Sequence, residues 1–181
     1  NDRSANYNVK ILPSSLSDAE LSKLPPDSFS YVAMVDAGSS GCRVHVFRYG
    51  KLDKLTGPLY VLPKHISLKV KPGLSSFAKN PSTAGSSLEP LVAFLKETIP
   101  REMWAETPIW LKATAGLRML KETESEAVLT SVREYLLHKS PFLFRPSYAK
   151  IISGQEEGAF GWVAFNYLKN NIGPKASYDS R

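Results

Sequence analysis

Apolar residues along this chain fall into runs of two different periods. Tyr31-Val32-Ala33-Met34-Val35 is an uninterrupted apolar run of strand length, a pattern suited to burial on both faces of a sheet. The run stops at Asp36, and the small-residue loop Ala37-Gly38-Ser39-Ser40-Gly41 follows. Residues 43–49, reading RVHVFRY, alternate at first and then become strand-like. Strand, glycine loop and second antiparallel strand make a predicted hairpin. Residues 59–69 supply a third strand. A helix is predicted over 82–99, where Leu88, Leu91, Val92, Leu95 and Ile99 share one face. Ser86 or Ser87 is its candidate N-cap, and Pro100 marks its end.

Residues 109–114 read as a second buried strand opening into the small loop Ala115-Gly116. An amphipathic helix is predicted over 122–137, with Val128, Val132, Tyr135 and Leu136 inward. A short strand at 149–152 and an apolar, aromatic-rich helix at 158–168 complete the chain. The order β-β-β-α-β-α-β-α gives an α/β fold with a mixed sheet that starts in a β-hairpin. A dinucleotide-binding domain would place a helix directly after its first glycine loop. Ahead of the first strand, residues 1–28 are rich in Ser, Asp, Pro and Asn, with Leu16, Leu21 and Leu24 as isolated apolar points. That composition reads as a flexible linker or stalk with one short helical turn.

Composition narrows the class. The 181 residues are 43% apolar and 22% charged, which excludes a disordered chain. No apolar run approaches the roughly 20 residues of a membrane-spanning helix, and no signal peptide is visible at the start. A net charge of +6 fits a solvated basic surface, or a basic rim attractive to polyanions. The basic cluster Lys64, Lys69 and Lys71 is short and no helix carries a basic stripe, so nucleic acid is not an expected partner. Cys42 is the only cysteine, which excludes an internal disulfide, a zinc cluster and a CxxC redox pair.

Candidate chemistry sits at three strand ends. In the first, Asp36 precedes a loop too small to cover its own amides. Gly38 and Gly41 let successive N–H groups turn toward one point, and Ser39 and Ser40 add hydroxyls. Such a nest suits phosphate oxygens, and the Asp36 carboxylate suits a divalent cation, directly or through its waters. An ordinary hairpin turn with Asp36 capping the loop amides fits the same residues. No GxxxxGK[ST] phosphate loop occurs. In the second, Thr114, Ala115 and Gly116 could hold a phosphate or a cation's water shell, or simply turn strand into helix. In the third, Gln155, Glu156 and Glu157 lie between a strand and a helix. A carboxylate there could take a proton from an attacking water. Acids at a helix N-terminus are also favoured by its dipole alone.

These three segments resemble the apyrase family, the nucleoside triphosphate diphosphohydrolases and their Golgi nucleoside-diphosphatase relatives. Residues 35–47 (VDAGSSGCRVHVF) resemble the family's first conserved region, residues 112–120 (KATAGLRML) its second, and residues 152–168 (ISGQEEGAFGWVAFNYL) its third. The stretch 71–77 (KPGLSSF) is of the kind found between the first two. The resemblance implies an actin-like, ribonuclease-H-like fold of two lobes around a nucleotide cleft. Residues 29–152 would form the first lobe, and 153–181 the catalytic-base motif and the start of a second lobe. It implies hydrolysis of terminal phosphates from nucleoside di- or triphosphates with Ca2+ or Mg2+. Carried over by position, Asp36 would orient the cation's waters, and Ser39, Ser40 and Gly41 would hold phosphates with Thr114, Ala115 and Gly116. Glu157 would be the base, with Gly38, Arg118, Gln155 and Glu156 supporting. The family also implies the secretory pathway, Golgi lumen or cell surface, with room for a membrane anchor outside this chain.

Two departures matter. Cys42 replaces the family's usual Thr or Ser, and a packing difference is expected from it. The family's later phosphate loop, in its second lobe, does not occur, so the second lobe is expected to be truncated and the 181 residues alone to be inactive or nearly so. A non-catalytic nucleotide-binding fragment is the alternative reading.

Overall fold

The computed structural model describes residues 9–13, 16–52, 59–62, 65–169 and 171. Its strands are β1 (Ile11–Leu12), β2 (Ser30–Gly38), β3 (Gly41–Leu52), β4 (Leu59–Val61), β5 (Ile66–Val70), β6 (Ile109–Ala113) and β7 (Ala149–Ile151). Its α-helices are α1 (Asp18–Leu21), α2 (Glu89–Thr98), α3 (Ala115–Arg118), α4 (Glu122–Lys139) and α5 (Gly154–Leu168). The sheet runs β1-β3-β2-β6-β7, with β4 and β5 also paired to β3. β2 and β3 form the antiparallel hairpin, from Ser30↔Tyr49 to Gly38↔Gly41. β2, β6 and β7 are parallel neighbours. Their C-terminal ends therefore open on one rim, where open α/β sheets bind ligands. All three segments singled out in the sequence begin there.

The strands alternate, as one layer of helices demands. Tyr31, Ala33 and Val35 of β2, Val44 and Val46 of β3, and Ile109 and Leu111 of β6 are buried. Leu91 and Leu95 of α2 and Val128, Val132 and Leu136 of α4 belong to the same core. The expectation that the first strand is buried on both faces is corrected: Val32, Met34 and Trp110 are only half-buried. Their period of 2 sends them to the face opposite that core. The third strand is two strands, because β5 pairs with Cys42–Val46 and β4 with Tyr49–Lys51 along the same edge of β3.

The helix predicted over 82–99 starts later. Pro81–Thr83 and Ser86–Leu88 are 3-10 turns, and α2 begins at Glu89 with a proline in its first turn. The Ser86 and Ser87 hydroxyls donate back to the carbonyls of Thr83 and Ala84 at 3.0 and 2.6 Å, so neither caps the helix. The linker expected at 1–28 also differs where it is described. β1 pairs with the far end of β3, Lys10 N–H donates to Ser30 Oγ at 3.0 Å, and Leu12 and Leu21 are fully buried. The isolated leucines of that polar stretch anchor it to the core.

Candidate active site

The rim is built from backbone that approaches backbone. Ser39 and Ser40 form the exposed turn between β2 and β3. A Cβ on Gly41 would fall 2.4 Å from the Val70 carbonyl oxygen, so β5 could not run beside the turn with any larger residue there. On the other side, a Cβ on Gly116 would fall 2.8 Å from Ser39 Cα. These glycines serve close approach between segments, a reason the sequence alone did not supply. Thr114 N–H donates to the Ala37 carbonyl at 3.2 Å and continues the β2–β6 pairing one step past the strand. Thr114 then occupies the N-cap position of α3, with no cap bond from its side chain. The expected strand-to-loop passage at Ala115-Gly116 is thus the first turn of a short helix.

Asp36 lies three residues before Ser39, exposed, opposite Arg43 on β3 and Lys112 on β6. Lys112 is engaged away from the turn: its Nζ donates to the Tyr148 carbonyl at 3.3 Å and lies 4.9 Å from the Trp110 ring centroid. Burial first, and then the charge of Lys150, pushes its amine below the usual lysine range. Cys42 is buried, and burial pushes its thiol up to about 11, consistent with the packing role expected for it.

Arg118, at the end of α3, ties the third segment to the second. One guanidinium nitrogen donates to the Ile152 carbonyl at 2.6 Å, and the other meets Glu157 Oε2 at 2.9 Å. Glu157 lies in the first turn of α5, half-exposed, at the same rim as Ser39 and Thr114. Its neighbour Glu156 faces elsewhere. Glu156 closes a capping box with Ser153 and pairs with Lys150 at 2.6 Å. Lys150 above all, then the Ser153 N–H, holds the Glu156 carboxyl down to about 2. The two acids, told apart beforehand only by the family resemblance, have distinct contacts: Glu156 caps a helix, and Glu157 faces α3. Gln155 is exposed in the same turn.

Ser39, Ala115 and Gly116 line a cavity of about 580 Å³ with Ser75, Ser76 and Met119. Ser75 and Ser76 were not assigned a site role from the sequence. The available signal was the spacing in KPGLSSF, a glycine followed by two adjacent hydroxyls.

The model of the GDA1/CD39 (nucleoside phosphatase) family matches residues 22–181. The chain belongs to that family. It is 40% identical over 150 residues to a guanosine-diphosphatase of Schizosaccharomyces pombe, covering 83% of this chain and 26% of that protein. It is 41% identical over 152 residues to an apyrase of Solanum tuberosum, covering 83% of this chain and 33% of the relative. A nucleoside triphosphate hydrolase structure from Neospora caninum matches with a TM-score of 0.58 at 20% identity, over 78% of this chain and 32% of that one. The fold is the actin-like α/β fold that the resemblance implied. This GDA1/CD39 family chain spans a quarter to a third of the length of these relatives.

Proposed function

We propose that the complete protein hydrolyses the terminal phosphate of nucleoside di- or triphosphates by in-line attack of water. The observation that carries this reading is the chain of contacts from the Ser39 turn through Gly116 and α3 to the Arg118–Glu157 pair. It gathers phosphate-binding groups and a carboxylate on the rim where β2, β6 and β7 end. Membership of a nucleoside phosphatase family, and relatives named guanosine-diphosphatase and apyrase, support the substrate class. We assign residues 29–152 to a first lobe and residues 153–181 to the start of a second, with 53–58, 63–64, 170 and 172–181 outside the described residues.

Each residue then has a task. Backbone N–H groups and hydroxyls of Ser39, Ser40 and Gly41, with the Thr114 hydroxyl and the N–H groups of Ala115 and Gly116, hold the phosphate oxygens. Glu157 accepts a proton from the water as its oxygen bonds to phosphorus, and the bridging P–O bond breaks with its electrons leaving on the nucleotide. Arg118 holds the carboxylate in place. A single exposed aspartate at the rim suits a hard cation that keeps most of its waters, and among the described residues no group of three or more acids, histidines or cysteines is arranged to hold a metal ion. Calcium or magnesium, held through water by Asp36 and by the phosphates, would supply charge neutralisation there. Gly38, Gln155 and Glu156 support the backbone around these groups. The family resemblance in the three motifs carries with it the secretory pathway, the Golgi lumen or the cell surface as the compartment of this reading.

Glu157→Gln in the full-length protein tests the reading. Phosphate release from nucleoside di- and triphosphates is expected to fall by about 10²–10⁴-fold in kcat, with nucleotide binding retained in calorimetry. An unchanged kcat would remove Glu157 as the base.

A further inference from the structure

The segment that runs from the end of β5 into the 3-10 turn Leu74–Phe77, residues 69–76, touches the Ser39-Ser40 turn at several points. Lys69 pairs with Arg43 in the β3–β5 register, and its stem passes over Gly41, where a Cβ would sit 3.0 Å from Lys69 Cε. The ammonium ends 3.3 Å from Ser40 Oγ. Among the described residues it has no carboxylate partner, and the side chain is exposed. A cation held beside a serine hydroxyl at the edge of a phosphate nest is available to an incoming anion.

The chain then turns back under the same loop. A Cβ on Gly73 would fall 2.4 Å from the Ser39 carbonyl oxygen and 2.5 Å from that of Gly38. Only glycine permits this contact between the two backbones. Leu74 is buried and opens the 3-10 turn Leu74–Phe77, which fixes the next two residues. Ser75 and Ser76 follow on the wall of the cavity that Ser39 and Gly116 also line. The segment thus brings two hydroxyls to the cavity that Ser39 lines and one cation to Ser40 on the adjoining turn, and among the described residues no carboxylate lines that cavity.

We propose that residues 69–76 form a third phosphate-binding wall, in which the Lys69 ammonium and the Ser75 and Ser76 hydroxyls hold oxyanions of the nucleotide's phosphate chain. This rests on the reading of the rim as a nucleotide phosphate site. Lys69 approaches the turn from the β5 side, and the serines approach it from the α3 side. The phosphate chain is therefore gripped from the first lobe alone at two points besides the hairpin. These groups position substrate and take no part in proton transfer.

The test uses the full-length protein with Lys69→Met, Lys69→Arg and the double variant Ser75→Ala/Ser76→Ala. Lys69 and Ser76 are exposed and Ser75 is half-buried, so unchanged circular dichroism and thermal melting are expected. Lys69→Met should raise KM for a nucleoside diphosphate about tenfold with kcat little changed, the scale of one charge-assisted hydrogen bond. Lys69→Arg should restore most of that loss. The serine pair should raise KM about threefold, as weaker neutral hydrogen bonds do. Calorimetry with pyrophosphate, run beside the kinetics, should show the same ranking of affinities. Turnover by the wild type with unchanged KM and unchanged pyrophosphate affinity in Lys69→Met and the serine variant overturns the third wall and leaves the hydrolase reading intact. Absence of nucleotide turnover in the wild type instead defeats the hydrolase reading. Pyrophosphate affinity then decides the wall: a loss on Lys69→Met supports it, and no loss overturns it.

Discussion

The Ser39-Ser40 turn and the first turn of α5 border the same rim and are held there by different forces. Beneath the hairpin turn lie Val35, Ala37, Cys42, Val44 and Ala113, all buried. Full burial of one Val- or Leu-sized side chain stabilises by about 1.5–3 kcal/mol, so this end of the sheet is rigid. Gly41, Gly73 and Gly116 let the 69–76 segment and α3 approach the turn backbone to backbone. α5 is different. Among its described residues none is buried, and Phe160, Trp162 and Phe165 are 50%, 62% and 58% exposed. What fixes its first turn is the Ser153 capping box, the Lys150–Glu156 pair and the two bonds from Arg118. Half-exposed ion pairs contribute only about 0–1 kcal/mol each. The two small-residue loops are thus preorganised by packing, and the Glu157 carboxylate beside Arg118 is positioned by polar tethers.

Damage to the packed side should be the more severe. Gly116→Ala puts a Cβ 2.8 Å from Ser39 Cα, and backbone on both sides must move. Overpacking of this kind costs about 1–3 kcal/mol, and a displacement near 1 Å at a reacting group costs about 10²-fold in rate. Phosphate release should fall by about that factor, together with a lower Tm. Equal activity and equal Tm would mean that the turn is as adjustable as α5, and the contrast between the two regions would disappear.

Damage to the polar side should be smaller and selective. Arg118→Ala frees Glu157 from its guanidinium but leaves the phosphate turn untouched. The expected loss is about tenfold in kcat, equivalent to about 1.4 kcal/mol in the barrier, with KM and Tm nearly constant. Arg118→Lys should recover part of it, since one of the two bonds, to Ile152 or to Glu157, can be remade by an ammonium. A rise in KM with kcat unchanged would instead mean that Arg118 binds substrate directly and does not act through Glu157.

The same contrast explains what the sequence could and could not convey. The hairpin, the strand ends and the amphipathic faces of α2 and α4 were legible because apolar periodicity and small-residue loops are local signals. Leu91, Leu95, Val128 and Val132 turn inward as their spacing requires. The resemblance in the three motifs gave the family and the fold. The functions of Gly41, Gly73 and Gly116 were not legible, because each is set by contact with a segment far away in sequence. Gly116 meets Ser39, and Gly73 meets Ser39 from the other direction. Lys69 read as part of a short basic cluster with Lys64 and Lys71 until β5 was placed beside the turn. Leu12 and Leu21 lay in a stretch whose composition is that of a linker, and only pairing of β1 with the end of β3 buries Leu12. Composition and spacing did not separate Glu156 from Glu157, and only the family resemblance singled out Glu157. A helix rotates successive residues by about 100°, so one meets Lys150 and the other Arg118.

That separation gives the smallest and most specific effect. Glu156→Gln removes the charge that pairs with Lys150 and weakens the cap on α5, while Glu157 keeps both its place and its arginine. kcat should stay within about twofold of wild type, a change of under 0.5 kcal/mol in the barrier. Stability should respond to pH. The Glu156 carboxyl is held down to about 2 in the folded chain, against 4.5 as its ordinary value. Between those values the unfolded chain binds more protons than the folded one, so stability falls as pH falls. The contribution of Glu156 is complete above about pH 4.5 and lost by about pH 2. Thermal melts of wild type and Glu156→Gln should therefore differ at pH 7, converge as pH drops below 4.5, and coincide near pH 2. A gap that persists at pH 2 would show that the variant acts through packing of α5, and the tether would then not be electrostatic.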